Sequence, residues 1–165
     1  MNSLTISHVG PIDDQFVNSI QRIIISQSNP LTHLTLQISS PGGSVIAGIT
    51  AYNYLKSLPI DVHTHNLGEV SSAAILPYLA GNIRTAEDVS KFMFHPVEIT
   101  LDGSLPFHKV EEILSNISTD ISNYAEIIKK ELPEFAEKHD IDNLLKHKSL
   151  VLLPADCRAW NLITD

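Results

Sequence analysis

The chain has 165 residues, 43% of them hydrophobic and 18% charged, and a net charge of −8. Length and composition predict one soluble domain over 1–165 with a single core, and the acidic balance excludes a phosphate-tracking nucleic-acid surface, no basic run exceeding Lys129-Lys130. One cysteine, Cys157, excludes an intrachain disulfide. Neither a membrane span nor an apolar leader is legible, so a cytoplasmic, reducing setting is the expectation.

Apolar periodicity alternates between strand and helix. Leu4-Thr5-Ile6 opens a strand that ends at the turn Gly10-Pro11. Asp13 is placed to cap a helix with Phe16, Val17, Ile20, Ile23 and Ile24 on its inner face. Leu34-Thr35-Leu36-Gln37-Ile38 reads as the next strand, and Pro41-Gly42-Gly43 turns the chain into a helix that starts at Ser44 and carries Val45, Ile46, Ile49, Tyr52 and Leu55. A strand over 62–67, a short helix over 71–79 and a strand over 91–94 follow. Pro77 removes a backbone donor, and a kink or a short first turn is expected there. Strand, turn and helix in this repeated order imply parallel strands with crossover helices.

The segment 107–132 differs in kind. Val110, Ile113, Leu114, Ile117, Ile121, Tyr124, Ile127 and Ile128 fall at steps of three and four, one stripe on a helix far longer than the ~11–12 residue average. Such a helix needs a partner along its length. It either crosses its own sheet or projects as an arm against another subunit.

Three junctions carry the chemistry of acyl transfer. Gly42 and Gly43 form a tight turn with backbone N–H groups at a helix N-terminus, an oxyanion hole in outline. Ser71 and Ser72 follow Gly68 at the mouth of a helix, where a hydroxyl stands exposed at the top of a sheet. His95 closes a strand ahead of Pro96. Each has an ordinary structural use, as turn, helix cap or exposed histidine. Only a shared rim, at the carboxyl ends of parallel strands, draws them together.

These motifs, in this order, resemble the caseinolytic (Clp-type) serine protease family. The resemblance rests on Gly10-Pro11-Ile12, Ser40-Pro41-Gly42-Gly43-Ser44-Val45, the Gly68-Glu69-Val70-Ser71-Ser72 turn, His95-Pro96 and the ending Ala159-Trp160-Asn161-Leu162-Ile163, nearly the whole chain. It implies an α/β, ClpP/crotonase-like superhelix of ββα units in which 107–132 is a protruding handle that joins rings into a homo-oligomer. Ser72 would be the nucleophile, selected over Ser71 by the spacing from Gly43. His95 would be the base, with the Gly43 and Ala73 N–H groups as oxyanion donors. The implied substrate is a peptide or unfolded protein, and no cofactor is implied.

The pattern breaks at the triad acid. Alignment on the ending puts Ser149 or Leu150 there, neither able to support an imidazolium. Asp102, Glu98 or Asp142 could stand in, Ser149 or water could orient His95 in a dyad, or the site could be dead. The family's glycine-rich strand, which holds peptide by strand addition, reads here as Glu98-Ile99-Thr100-Leu101-Asp102-Gly103. The axial loops that dock an unfoldase ATPase are not legible, and no such partner is expected. Alternative readings are an inactive, ring-forming Clp-like scaffold or a crotonase-type acyl-CoA enzyme, the latter without an evident basic pocket for CoA phosphates. His63 and His65 alternate on a strand, but nothing completes a metal site; Cys157 reads as a small core residue, and Pro41-Gly42-Gly43-Ser44 lacks the lysine of a P-loop.

Overall fold

Alternation within 33–40 determines how the sheet is built. Leu34, Leu36, Ile38 and Ser40 are buried while the residues between them are half-buried, the period of two expected of a strand packed on one face. The structure, a computed structural model, describes residues 2–101 and 103–164. β2 (His33–Ser40) pairs in parallel with β1 (Ser3–Val9) and β3 (Asp61–Ser71). β3 pairs in parallel with β4 (Ile83–Ala86) along its middle and with β5 (Lys91–Phe94) at its end. β6 (Leu150–Leu152) completes the order β1-β2-β3-β5-β6 and runs antiparallel to β5. The strands expected to be parallel are parallel, and the antiparallel edge is a strand the sequence did not announce.

One face of the sheet is covered by α1 (Asp14–Ile25), α2 (Val45–Ser57) and α3 (Ile75–Leu79). The two expected caps form: Asp13 accepts from the Phe16 N–H at 2.8 Å, and Ser44 Oγ accepts from the Ala47 N–H at 3.2 Å. On the inner side of β3, Thr64 and Asn66 are fully buried, and both are satisfied. Thr64 Oγ1 donates to the Tyr78 carbonyl at 2.7 Å and Asn66 Nδ2 to the Lys91 carbonyl at 2.9 Å. The opposite face is polar, carrying Thr35, Gln37, His63, His65 and Thr85.

Two local expectations change. Gly68 does not begin the turn; the strand runs on to Ser71, because a register irregularity opposite Ile38 and Ser40 lets β3 change neighbours from β4 to β5. The segment 71–79 is a 3₁₀ turn over Ser72–Ala74 followed by α3. Pro77 therefore lies in the first turn of a five-residue α3, where its missing N–H has no partner to lose, and of the two expectations the short turn is the one seen.

The long helix α4 (Phe107–Glu131) is divided between a packed and an exposed half. Its second half buries Ile121, Tyr124, Ala125 and Ile128 against the body, while Phe107 is 77% and Leu114 52% exposed on its outer half. Beyond it, α5 (Pro133–Lys138), α6 (Ile141–Lys146), α7 (Pro154–Cys157) and a 3₁₀ turn over Arg158–Trp160 close the chain. Arg84, 5% exposed, ties down that ending through bonds to the Leu162, Gly81 and Asn161 carbonyls at 3.2, 3.0 and 2.6 Å. Among the described residues no helix is long and apolar enough to cross a membrane.

Candidate active site

Strand, tight turn and helix meet at Ser72. Its φ is +51°, a left-handed conformation that costs a residue with a β-carbon roughly 1–2 kcal/mol. This is the shape that presents a serine at the apex of an elbow. The neighbouring serine is different: Ser71 is the last residue of β3, fully buried, and its hydroxyl donates to Glu69 Oε1 at 2.7 Å. That bond, with Lys91 at 3.2 Å, holds the Glu69 carboxyl below its ordinary value against the opposing effect of burial.

The glycine turn lies directly on the elbow. Gly42 and Gly43 have φ of +103° and +147°. A β-carbon at Gly42 would stand 2.6 Å from Ser72 Cβ, 2.8 Å from the Ser71 carbonyl oxygen and 3.2 Å from the Ala73 nitrogen, so only glycine permits this approach. A side chain at Gly43 would meet the backbone of Ile12. The Ile12 N–H donates to the Gly42 carbonyl and the Ser44 N–H to the Ile12 carbonyl, each at 2.8 Å. This parallel bridge uses the amides on either side of Gly43. The Gly43 N–H consequently points away from Ile12 and has no intramolecular acceptor among the described residues.

His95 follows β5, beside the strand that ends at the elbow. The pairing of Ser71 with Met93, carried one step on, sets Ser72 level with Phe94 and one position short of His95. His95 Nδ1 lies 2.8 Å from the Pro96 carbonyl oxygen. A carbonyl only accepts, so Nδ1 carries the proton and the lone pair is left on Nε2. Ser72 Oγ and His95 Nε2 are not hydrogen-bonded to each other among the described residues.

The candidate third members divide. The antiparallel pairing of Phe94 with Leu150, extended one step, puts Ser149 opposite His95, exposed and one residue ahead of β6. Leu150 itself is apolar and opens that strand. Asp142 sits on α6, where its carboxylate is paired with Lys129 at 3.6 Å and Lys146 at 3.5 Å. Glu98 is exposed in the stretch after His95, which forms no strand among the described residues. Asp102 lies outside the described residues.

Elsewhere, His63 Nε2 and His65 Nδ1 both meet the Thr85 hydroxyl, at 2.9 and 2.7 Å. Among the described residues no three His, Cys, Asp or Glu side chains converge as a metal site. Cys157 is fully buried, and burial pushes its thiol up to about 12, which makes it inert. Two site features escape sequence reasoning: the contact of Gly42 with Ser72, and the Tyr124 hydroxyl, which donates to the Ser72 carbonyl at 2.6 Å. A lone tyrosine in an otherwise aliphatic stripe was the available signal.

An α/β chain with a serine elbow, an abutting glycine turn and a histidine on the adjacent strand has the layout of an acyl-transfer hydrolase. The Clp protease family model matches residues 1–150, and the chain belongs to that family. It is 33% identical over 118 residues to an ATP-dependent Clp protease proteolytic subunit of Cyanophora paradoxa, covering 69% of this chain and 56% of that one. It is 31% identical over 97 residues to ATP-dependent Clp protease proteolytic subunit 1 of Corynebacterium jeikeium, covering 56% and 52%. The chain thus spans about half the length of these curated relatives. A ClpP1 mutant from Listeria monocytogenes superposes with a TM-score of 0.79 at 20% identity, over 97% of this chain and 88% of that one. The fold is ClpP-like.

Proposed function

We propose that the chain is a Clp-type serine peptidase that cleaves peptides or unfolded protein through an acyl-enzyme, without a cofactor. Ser72 Oγ attacks the peptide carbonyl and passes its proton to His95 Nε2. The oxyanion that forms is held by the Gly43 and Ala73 N–H groups. His95 then gives the proton to the leaving amine, and water releases the acyl group by the same route. The observation that carries this reading is the His95 Nδ1 bond to the Pro96 carbonyl. It does the tautomer-setting half of a triad acid's work and leaves the basic nitrogen free, though it adds no negative charge to support the imidazolium.

Assembly belongs to the same proposal. The exposed Phe107 and Leu114 on the outer half of α4 supply an apolar surface for a second copy, and a homo-oligomeric ring or stack of rings is the state in which we place the activity. An unfoldase partner is not part of the proposal, and the setting proposed is cytoplasmic. The open Ser72–His95 pair favours a second reading, a ring-forming scaffold without catalysis.

Intact-mass labelling with a fluorophosphonate, on wild type, Ser72→Ala and Ser71→Ala, separates the two. One adduct that survives Ser71→Ala and vanishes in Ser72→Ala is the expected result. No adduct on a folded, assembled sample establishes the scaffold.

A further inference from the structure

Tyr124 is 1% exposed on the stripe of α4, between Ile121 and Ile128. Its hydroxyl nevertheless has a polar partner, the Ser72 carbonyl at 2.6 Å, 52 residues away in sequence. The peptide that follows Ser72 is planar, so its C=O and its N–H point in opposite directions. That N–H belongs to Ala73. Anchoring the carbonyl on one side therefore sets where the Ala73 N–H points on the other.

Ser72 also needs an anchor. Among the described residues it shares positive φ, outside glycine, only with Asn161, a residue type that tolerates it. Locally the Ser72 carbonyl accepts only from the Ile75 N–H of the 3₁₀ turn, and the Tyr124 hydroxyl adds the contact from across the fold. Removing the tyrosine contact would leave the buried carbonyl with only the local Ile75 N–H and loosen the peptide.

Resting on the acyl-transfer reading above, we propose that Tyr124 is a positioning residue: its hydroxyl pins the Ser72–Ala73 peptide, holding the nucleophile in its elbow and the Ala73 N–H toward the reacting carbonyl. The inner end of the long helix thereby sets the geometry of the oxyanion hole. At neutral pH the phenol is a permanent donor, since burial raises its pKa far above the ordinary tyrosine value.

Tyr124→Phe removes one oxygen and keeps the ring. Tyr78→Phe is its control, another buried tyrosine whose hydroxyl donates to a backbone carbonyl, that of Thr85 at 3.1 Å, away from the elbow. In fluorophosphonate labelling, Tyr124→Phe should lower the maximal rate roughly tenfold, with the half-saturating probe concentration within about twofold of wild type. Tyr78→Phe should label as wild type does even where its melting temperature falls as far. Equal maximal rates in wild type and Tyr124→Phe would overturn the proposal.

A crystal structure of Tyr124→Phe reads the same point without activity. Ser72 should leave its positive φ or the Ser72–Ala73 peptide should rotate; an unmoved peptide overturns the proposal. Wild type that never labels, together with a moved peptide, would remove the acyl-transfer reading and leave the positioning role standing.

Discussion

At Gly42 one hydrogen atom decides whether two turns can meet. Sequence inspection assigns the oxyanion role to Gly43, whose N–H is free, but the tighter steric demand falls one residue earlier, against Ser72 Cβ and the Ser71 carbonyl. A methyl group there must displace backbone on both sides, and its positive φ adds strain. Gly42→Ala is therefore expected to reduce fluorophosphonate labelling by about 10²–10³-fold, the usual cost of a lost oxyanion donor. Labelling rates beside thermal melts test this, and near-wild-type labelling would show that the turn does not contribute. The serine choice was legible only through spacing. The structure adds a physical reason: Ser71 completes the strand and spends its hydroxyl on Glu69, whereas Ser72 turns the corner.

Among the elements, those with a periodic pattern, a cap or a stop signal were legible, four-residue β5 among them because Pro96 ends it, and β4 and β6 were not. α1, α2, β2, β5 and α4 each offered several residues on one face or a capping residue, which local physics can use. β4 with four residues and β6 with three offer no period, and their strand identity comes from neighbours contributed by distant parts of the chain. The stripe of α4 showed which side is apolar but not what lies beneath it, so the role of Tyr124 could not be read. Burial along that helix predicts two opposite outcomes. Ile128→Ala, in the fully buried half, should cost about 2–5 kcal/mol in urea unfolding. Leu114→Lys, on the exposed half, should change subunit stability by no more than about 0.5 kcal/mol while lowering the mass measured by light scattering. An unchanged mass would remove the outer half of α4 from the assembly.

For the whole molecule, the end of the chain is held by polar clamps as well as by its apolar core. Arg84→Met should destabilise the fold by about 2 kcal/mol or more, because two buried carbonyls and the part-buried Asn161 carbonyl lose their donor at once; a denaturant melt reads this directly. A second device in the same region makes stability depend on pH. His139 packs against Phe135 at 4.4 Å and Trp160 at 5.5 Å between ring centroids, and its Nε2 is buried without a hydrogen-bond partner among the described residues. Burial, assisted by the positive charge of Lys148, lowers its pKa in the fold. The unfolded chain, with an ordinary histidine near 6.5, then binds a proton that the folded chain resists. Stability from this group is complete above about pH 6.5 and is lost as the pH falls toward the folded value. The melting temperature should therefore drop between about pH 7.5 and about pH 5. His139→Phe keeps the ring contacts and removes the proton site, so its melting temperature should fall less over the same interval. Parallel curves for the two proteins would mean that the acid sensitivity in this interval arises elsewhere, and not from Glu69, whose lowered pKa places its own loss of stability at a more acidic pH.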